Sequence, residues 1–347
     1  MNQLVQGAGG VPILDNSVSV IIPTYNGATR INKCLDALLT QTPSRKVEIL
    51  VVNDGSTDDT PNVVARYSGV SLIHQLNAGP AAARNRGALA AQGSIILFTD
   101  DDCVPTPQWV EEMIEPFQDP KVVGTKGVYR TLQKSLVARF VQTEYEDRYR
   151  LMASLSRIDF IDTYSAAFRR DRFLEMNGYD TSFPLACAED VELSYRMSAR
   201  GWKMKFAPRA MVYHTHPDTL SWYLKKKYKF AFWRVLAVRK NPGKAMKDSH
   251  TPQLMKVQLL FPPALLLAAV LDVTVRTRAP ASVILLAVFV ASTLPFALRA
   301  MRKDPLVGLL SPSLLAARAC AQVLGVAGGL IYAIRGTAKA PRKAPAQ

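Results

Sequence analysis

The chain has 347 residues, of which 48% are hydrophobic, and its formal net charge is +15. This length suits one large domain or two ordinary ones. The chain's four cysteines (Cys34, Cys103, Cys187 and Cys320) are far apart in sequence, which argues against a zinc site or a redox pair and favours a reducing compartment.

The first 17 residues are expected to form a loose tail, because they hold neither a basic segment nor an apolar run long enough for a signal peptide. Short apolar runs rich in β-branched residues then alternate with helix-like segments. This alternation predicts an α/β domain with a mainly parallel sheet. The predicted strands are 18–22, 47–54, 70–75 and 94–100, and the predicted helices are 28–41, 56–67, 79–93, 106–117, 132–157 and 189–201.

Polar clusters follow three of the predicted strands, at 24–26, 53–58 and 100–102. Because ligands bind at the carboxyl ends of parallel strands, these clusters are expected to meet in one cleft. Three consecutive aspartates repel one another unless a positive partner holds them. Such oxygen-rich clusters suit Mg²⁺ or Mn²⁺, with Asp100 and Asp102 facing the cleft and Asp101 turned away or hydrogen-bonded. Acids that decorate a helix N-terminus are the alternative.

The second half of the chain predicts a membrane region. Ten basic residues and one acid lie between Lys225 and Lys256, a pattern that favours an anionic membrane surface over nucleic acid. Two apolar segments, 257–275 and 280–298, are long enough to span a bilayer, although a pair of buried core helices is the alternative. A third segment, 305–334, carries Arg318 and is expected to be an interfacial or re-entrant helix pair, with the guanidinium reaching water.

These features divide the chain into five expected parts. They are a tail at 1–17, an α/β domain at 18–215, basic juxtamembrane helices at 216–256, a membrane region at 257–335 and a basic tail at 336–347.

Five motifs occur in a characteristic order: IIPTYNG at 21–27, VVNDGSTDDT at 51–60, NAGPAAARNRG at 77–87, FTDDDCVP at 98–105 and AEDVELSYR at 188–196. Together they resemble the family 2 glycosyltransferases, inverting enzymes with the GT-A fold. The resemblance covers about 18–213, and the apolar C-terminal part resembles that of the membrane-bound bacterial members.

The resemblance implies a role for individual residues. Asp190 is the expected catalytic base, with Glu189 binding the acceptor or orienting the base. In some members a histidine at about this place completes the metal site, so His214 is a candidate third ligand, with the choice between His214 and His216 left open. The alternative is that both are loop histidines near the membrane without a metal role. The remaining expected site residues are Pro23, Thr24, Tyr25, Asn26, Asp54, Arg84 and Asp100 for the nucleotide, and Asp100 and Asp102 for Mg²⁺ or Mn²⁺.

The expected function is therefore metal-assisted transfer of one sugar from a nucleotide-sugar donor to a lipid-linked or cell-surface glycan. The segment 222–234 lacks the Q-x-x-R-W pattern of processive synthases, which favours a single addition. The expected location is the cytoplasmic (inner) membrane, with several membrane passes, the catalytic domain in the cytoplasm and no nucleic-acid partner. The alternatives are a nucleotidyltransferase, although PTYNGATR is not its glycine-rich signature loop, and a non-catalytic nucleotide-sugar-binding protein.

Overall fold

The computed structural model describes residues 17–41, 46–183, 188–244, 249, 251–275 and 280–335. Eight strands form one sheet. They are β1 (Val18–Thr24), β2 (Val47–Asn53), β3 (Val70–His74), β4 (Ile95–Phe98), β5 (Val104–Pro105), β6 (Val122–Arg130), β7 (Ala166–Arg169) and β8 (Lys203–Tyr213).

Twelve α-helices accompany the sheet in the described part of the chain. The first seven are α1 (Ile31–Leu39), α2 (Thr60–Ala65), α3 (Pro80–Ala90), α4 (Trp109–Ile114), α5 (Leu136–Ala153), α6 (Arg170–Glu175) and α7 (Glu189–Ala199). The other five are α8 (Leu220–Lys240), α9 (Gln253–Gln258), α10 (Phe261–Val275), α11 (Ala281–Met301) and α12 (Pro305–Ile334). Short 3₁₀ turns lie at Glu115–Gln118, Thr163–Ser165 and Pro242–Lys244.

The strand order is β3-β2-β1-β4-β7-β6-β8-β5. The first four strands pair in parallel, as the sequence predicts. Beyond β4 the sheet is mixed, because β7 runs antiparallel to both of its neighbours, whereas β6 and β8 are parallel. The prediction of a mainly parallel sheet therefore holds for its first half, and the α/β class is confirmed.

Both faces of the sheet are buried, which explains why the strands are nearly continuous apolar runs. On β1, Ile21 packs into one core with α3, α6 and α7. Its neighbours Val20 and Ile22 point to the opposite face and pack with α1, α2 and α4. Helices on both faces fix the positions of the strand ends, where the polar clusters lie.

Three helices are long and apolar enough to cross a membrane: Gln253–Val275, Ala281–Met301 and Pro305–Ile334. The third is one continuous helix, so the expectation of a helix pair there is wrong. Arg318 does not reach water either: it is 3% exposed, and it donates to Glu144 Oε1 and Gln258 Oε1, both at 2.7 Å. A charge on an apolar helix is tolerated here because Glu144, in the α/β domain, supplies its partner.

Helix α12 packs closely along α8. A Cβ atom at Gly325 would lie 2.4 Å from the carbonyl oxygen of Tyr228, and one at Gly329 would lie 2.5 Å from that of Phe232. Only glycine allows the two backbones to approach this closely. The apolar helix α12 is thereby held against α8, which lies in the basic juxtamembrane part of the chain.

Candidate active site

The three polar strand ends meet, as the sequence predicts. Thr24 ends β1, and its buried hydroxyl donates to Asp101 Oδ2 at 2.6 Å. Arg30 donates to both oxygens of Asp101, with Nε at 2.8 Å from Oδ1 and Nη2 at 2.9 Å from Oδ2. Asp101 is thus hydrogen-bonded into the protein. A side chain at Gly27 would collide with this arrangement, because its Cβ would lie 2.4 Å from Thr24 Oγ1.

Residues of the first two motifs lie together at the ends of β1 and β2. Pro23 is in β1, Tyr25 is 40% exposed just beyond it, and Asn26 adopts a left-handed backbone with φ of 49°. The Asn26 amide oxygen accepts from Thr57 N at 2.8 Å, which ties the two motifs together. Asp54 accepts from the backbone N–H groups of residues 78 and 79, at 2.7 and 2.9 Å, and so orders the loop that begins α3.

Arg84, on α3, is the cation that joins two motifs. It is 2% exposed, and its Nη2 lies 2.6 Å from Asp100 Oδ1, while its Nη1 lies 3.3 Å from Glu189 Oε1. Charge-assisted contacts of this kind in a buried setting hold the three side chains in a fixed arrangement. The third and fifth motifs, 105 residues apart in sequence, are therefore in direct contact.

Asp102 lies beside His214. The distance from His214 Nε2 to Asp102 Oδ1 is 3.3 Å, and Cys103 Sγ lies 3.9 Å from the same oxygen. Burial opposes charge on both groups, but their contact outweighs it, so the pKa of His214 is raised and that of Asp102 is lowered. Each aspartate of the triplet therefore has its own cationic or ionisable partner: Arg84, Arg30 and His214 respectively.

Oxygen, nitrogen and sulfur atoms of Asp102, His214 and Cys103 lie within 4.8 Å of one another, close enough to hold one metal ion. His214 Nδ1 is buried and makes no hydrogen bond within the described residues. The donor set of this cluster fits a divalent transition ion. Asp100, which was also expected to be a ligand, accepts from Arg84 instead of joining this cluster.

His216 has a structural position. Its ring stacks on Tyr145, with centroids 5.5 Å apart, and its Nε2 lies 3.1 Å from Gln142 Oε1. Burial, followed by the charge of His214, lowers the pKa of His216 to about 3. Of the two histidines, only His214 faces the aspartates.

Asp190 lies in the first turn of α7, next to Glu189, and is half-buried. Its Oδ1 accepts from the backbone N–H of Val191 at 2.7 Å. Burial, followed by the negative charges of Glu189 and Asp162, raises the pKa of Asp190 well above its usual range. A carboxylate whose pKa is raised in this way is a stronger proton acceptor.

Sequence reasoning missed two cations near these carboxylates. Arg30 follows the first motif, but nothing in its local sequence shows that it reaches Asp101. Lys126 is 1% exposed inside β6, where it forms an ion pair with Asp162 and lies 3.0 Å from the hydroxyl of Tyr164. A lone lysine within the apolar run of a buried strand is a signal that could have identified it.

A cavity of about 940 Å³ lies away from these side chains, near the start of β1 and β4. Its lining includes Arg169 and Trp202. The predicted site residues do not line it. The volume of a cavity therefore does not by itself identify the candidate active site of this protein.

Residues 19–175 match the model of the family described as Glycosyl transferase family 2. The Pre-mycofactocin glycosyltransferase of Mycobacterium tuberculosis is 27% identical over 232 residues, which are 64% of this chain and 48% of that protein. Glycosyltransferase AglE of Haloferax volcanii is 30% identical over 196 residues, which are 55% of this chain and 64% of that protein. The chain thus spans about half the length of the first relative and under two thirds of the second.

Among solved structures, the mannosyltransferase PcManGT from Pyrobaculum calidifontis, in complex with GDP-Man and Mn²⁺, is similar with a TM-score of 0.63 at 21% identity. The match covers 92% of this chain and 88% of that one. At this identity the likeness shows the fold. It confirms the expected GT-A-like domain followed by C-terminal helices.

Proposed function

We propose that this chain, whose residues 19–175 belong to glycosyl transferase family 2, transfers one sugar from a nucleotide-sugar donor to a hydroxyl group of an acceptor glycan. The proposed reaction inverts the configuration at the anomeric carbon and forms no covalent intermediate with the enzyme.

One observation carries this proposal. Arg84 contacts Asp100 of the aspartate triplet and Glu189, the neighbour of Asp190, with the same buried guanidinium group. Sugar transfer needs a donor site next to a proton acceptor, because the acceptor hydroxyl must lose its proton as it attacks. A single rigid side chain that links the two groups supplies this proximity.

The donor side comprises the ends of β1 and β2. Thr24, Asn26 and Asp54 order the backbone there, and the exposed ring of Tyr25 is available to cover the nucleoside base. The buried cation Arg84 offsets part of the negative charge that a diphosphate brings to this side of the cleft.

Asp102 and His214 would hold the divalent cation. A carboxylate paired with an imidazole suits Mn²⁺ better than Mg²⁺, which prefers oxygen ligands alone. When bound, the cation neutralises negative charge on the departing nucleoside diphosphate.

Asp190 acts as the base in the proposed reaction. The acceptor oxygen forms a bond to the anomeric carbon, the bond from that carbon to the diphosphate oxygen breaks, and the hydroxyl proton passes to Asp190. The nucleoside diphosphate leaves on the opposite side of the sugar. The raised pKa of Asp190 favours this proton transfer, and its half-buried position leaves a path to the acceptor.

The acceptor is proposed to be lipid-linked or part of a surface glycan, with the catalytic domain facing the cytoplasm, where nucleotide sugars are made. The three apolar helices and the basic segment before them support attachment to the membrane.

The decisive test of the activity offers the purified full-length protein a panel of nucleotide sugars with Mn²⁺. Release of a nucleoside diphosphate supports sugar transfer. In a parallel assay that supplies nucleoside triphosphates and sugar 1-phosphates, release of pyrophosphate would instead identify a nucleotidyltransferase. Binding of a nucleotide sugar without turnover, also in the presence of membrane lipid extract, would identify a binding protein.

A further inference from the structure

A second cavity, lined by both charged and apolar side chains, lies away from the aspartates, where α5, α9, α11 and α12 meet. Its volume is about 170 Å³. Leu254, Phe296 and Leu315 supply apolar walls. The cavity also has five charged lining residues: Glu144, Asp147, Arg148, Arg299 and Arg318. Three guanidinium groups thus face two carboxylates in a small space.

The two carboxylates already have cations. Glu144 Oε1 lies 2.7 Å from Arg318 Nη1, and Glu144 Oε2 lies 2.9 Å from Lys227 Nζ. Burial alone would raise the pKa of Glu144, but the positive charges of Lys227 and Arg318 lower it to about 2. Asp147 accepts from Arg299 at 2.9 Å. Because positive charge exceeds negative charge among these groups, the cavity has a net attraction for an anion.

Arg318 has a donor left over. Its Nε is buried and has no hydrogen-bond partner within the described residues, although both of its Nη atoms are used. A buried donor without an acceptor is costly, and such groups commonly mark the place of a water or an ion. The oxygens of a phosphate group match the planar donors of arginine.

The cavity lies at one end of the apolar hairpin formed by α10 and α11. Gln258, at the end of α9, and Arg299, near the end of α11, both line it. Side chains along the hairpin are exposed, among them Leu266, Val273 and Ile284. If these apolar side chains contact lipid, the cavity lies at the level of the lipid headgroups.

We propose that this cavity binds the phosphate group of a membrane lipid, with Arg318 and Arg299 as donors and the lipid chain along the apolar walls. The site is separate from the proposed transfer site, and the proposal stands whether or not the transfer reaction is correct.

The test uses the full-length protein in maltoside micelles. Calorimetric titration compares three probes: monododecyl phosphate, inorganic phosphate and dodecanol. The double variant E144Q/R318Q replaces the buried ion pair by two neutral amides, so that no carboxylate loses its cation, although Lys227 loses its contact with a carboxylate. R299Q is a milder second variant, because Arg299 is partly exposed. R302Q removes an exposed charge close to the same end of α11 and serves as the matched control.

Monododecyl phosphate is expected to bind with one site, and the double variant is expected to bind it at least tenfold more weakly. R299Q should lose affinity by a smaller factor and R302Q by less than twofold. If the double variant does not fold, the location of the site is tested by comparing the affinities of R299Q and R302Q for monododecyl phosphate. Equal binding of dodecanol would overturn the role of phosphate, equal binding of inorganic phosphate would overturn the role of the lipid chain, and equal affinity in R299Q and R302Q would overturn the location.

Discussion

Removing the Arg84 guanidinium tests the link between the aspartate triplet and the pair Glu189–Asp190. In R84M, Asp100 can regain water because it is 28% exposed, but Glu189 remains buried at 2% exposure and loses its contact with Arg84. Breaking a buried ion pair costs about 3–5 kcal/mol, and we expect the lower end, about 3 kcal/mol, since only one carboxylate is trapped. For a domain of this size that lowers the melting temperature by about 6–12 °C.

The assay is thermal unfolding of the full-length protein, followed by tryptophan fluorescence at pH 8. R84M/E189Q should recover more than half of the loss, because a neutral amide needs no cation. R86M, which removes an exposed arginine of the same helix, should change stability by about 0.5 kcal/mol or less. The reasoning is refuted if R84M and R86M behave alike, or if the double variant recovers nothing.

Three further outcomes are expected. Release of nucleoside diphosphate should stop with a chelator and return with Mn²⁺. The variant D102A should stay inactive at all Mn²⁺ concentrations, although its circular dichroism spectrum is unchanged. Activity in D102A would rule out the metal assignment. G325V should destabilise the protein by about 1–3 kcal/mol, because its side chain would meet the backbone of α8. The control variant G243A, whose Cβ meets open space, should change the melting temperature little. Equal effects of the two substitutions would contradict the close packing of α12. A reporter fused at Thr277, which lies outside the described residues, should give an external signal. A reporter fused at Gln347 should give a cytoplasmic signal, because the basic segments favour the cytoplasm. An external signal at Gln347 would mean that the chain crosses the membrane three times.

Local patterns were sufficient to predict the strand ends and therefore the cleft. The apolar runs before Thr24, Asn53 and Asp100 fix three parallel strands, and the carboxyl ends of parallel strands must lie together. Alternation along the aspartate triplet predicts that Asp101 is turned away or hydrogen-bonded, and its contacts with Thr24 and Arg30 agree with the second of these.

Contacts between distant segments could not be predicted in this way. The sequence around Arg318 shows a charge in an apolar helix without a nearby acid. Its partner Glu144 lies 174 residues earlier in the chain. The antiparallel direction of β7 likewise depends on its pairing with β4, which is far away in the sequence. Hydrophobic periodicity reports on a residue's own helix or strand and carries no information on such pairings.

In the proposed reaction, Asp190 takes the proton of the acceptor hydroxyl. The most direct test measures the rate of nucleoside diphosphate release against pH for the wild type and for D190N, each saturated with donor and acceptor. A base must be deprotonated to act, so the wild-type rate should fall as pH drops through the raised pKa of Asp190. D190N should be slower by about 10²- to 10⁴-fold, with no such fall and with donor affinity unchanged. A D190N variant that keeps the wild-type rate and its pH profile would contradict the account.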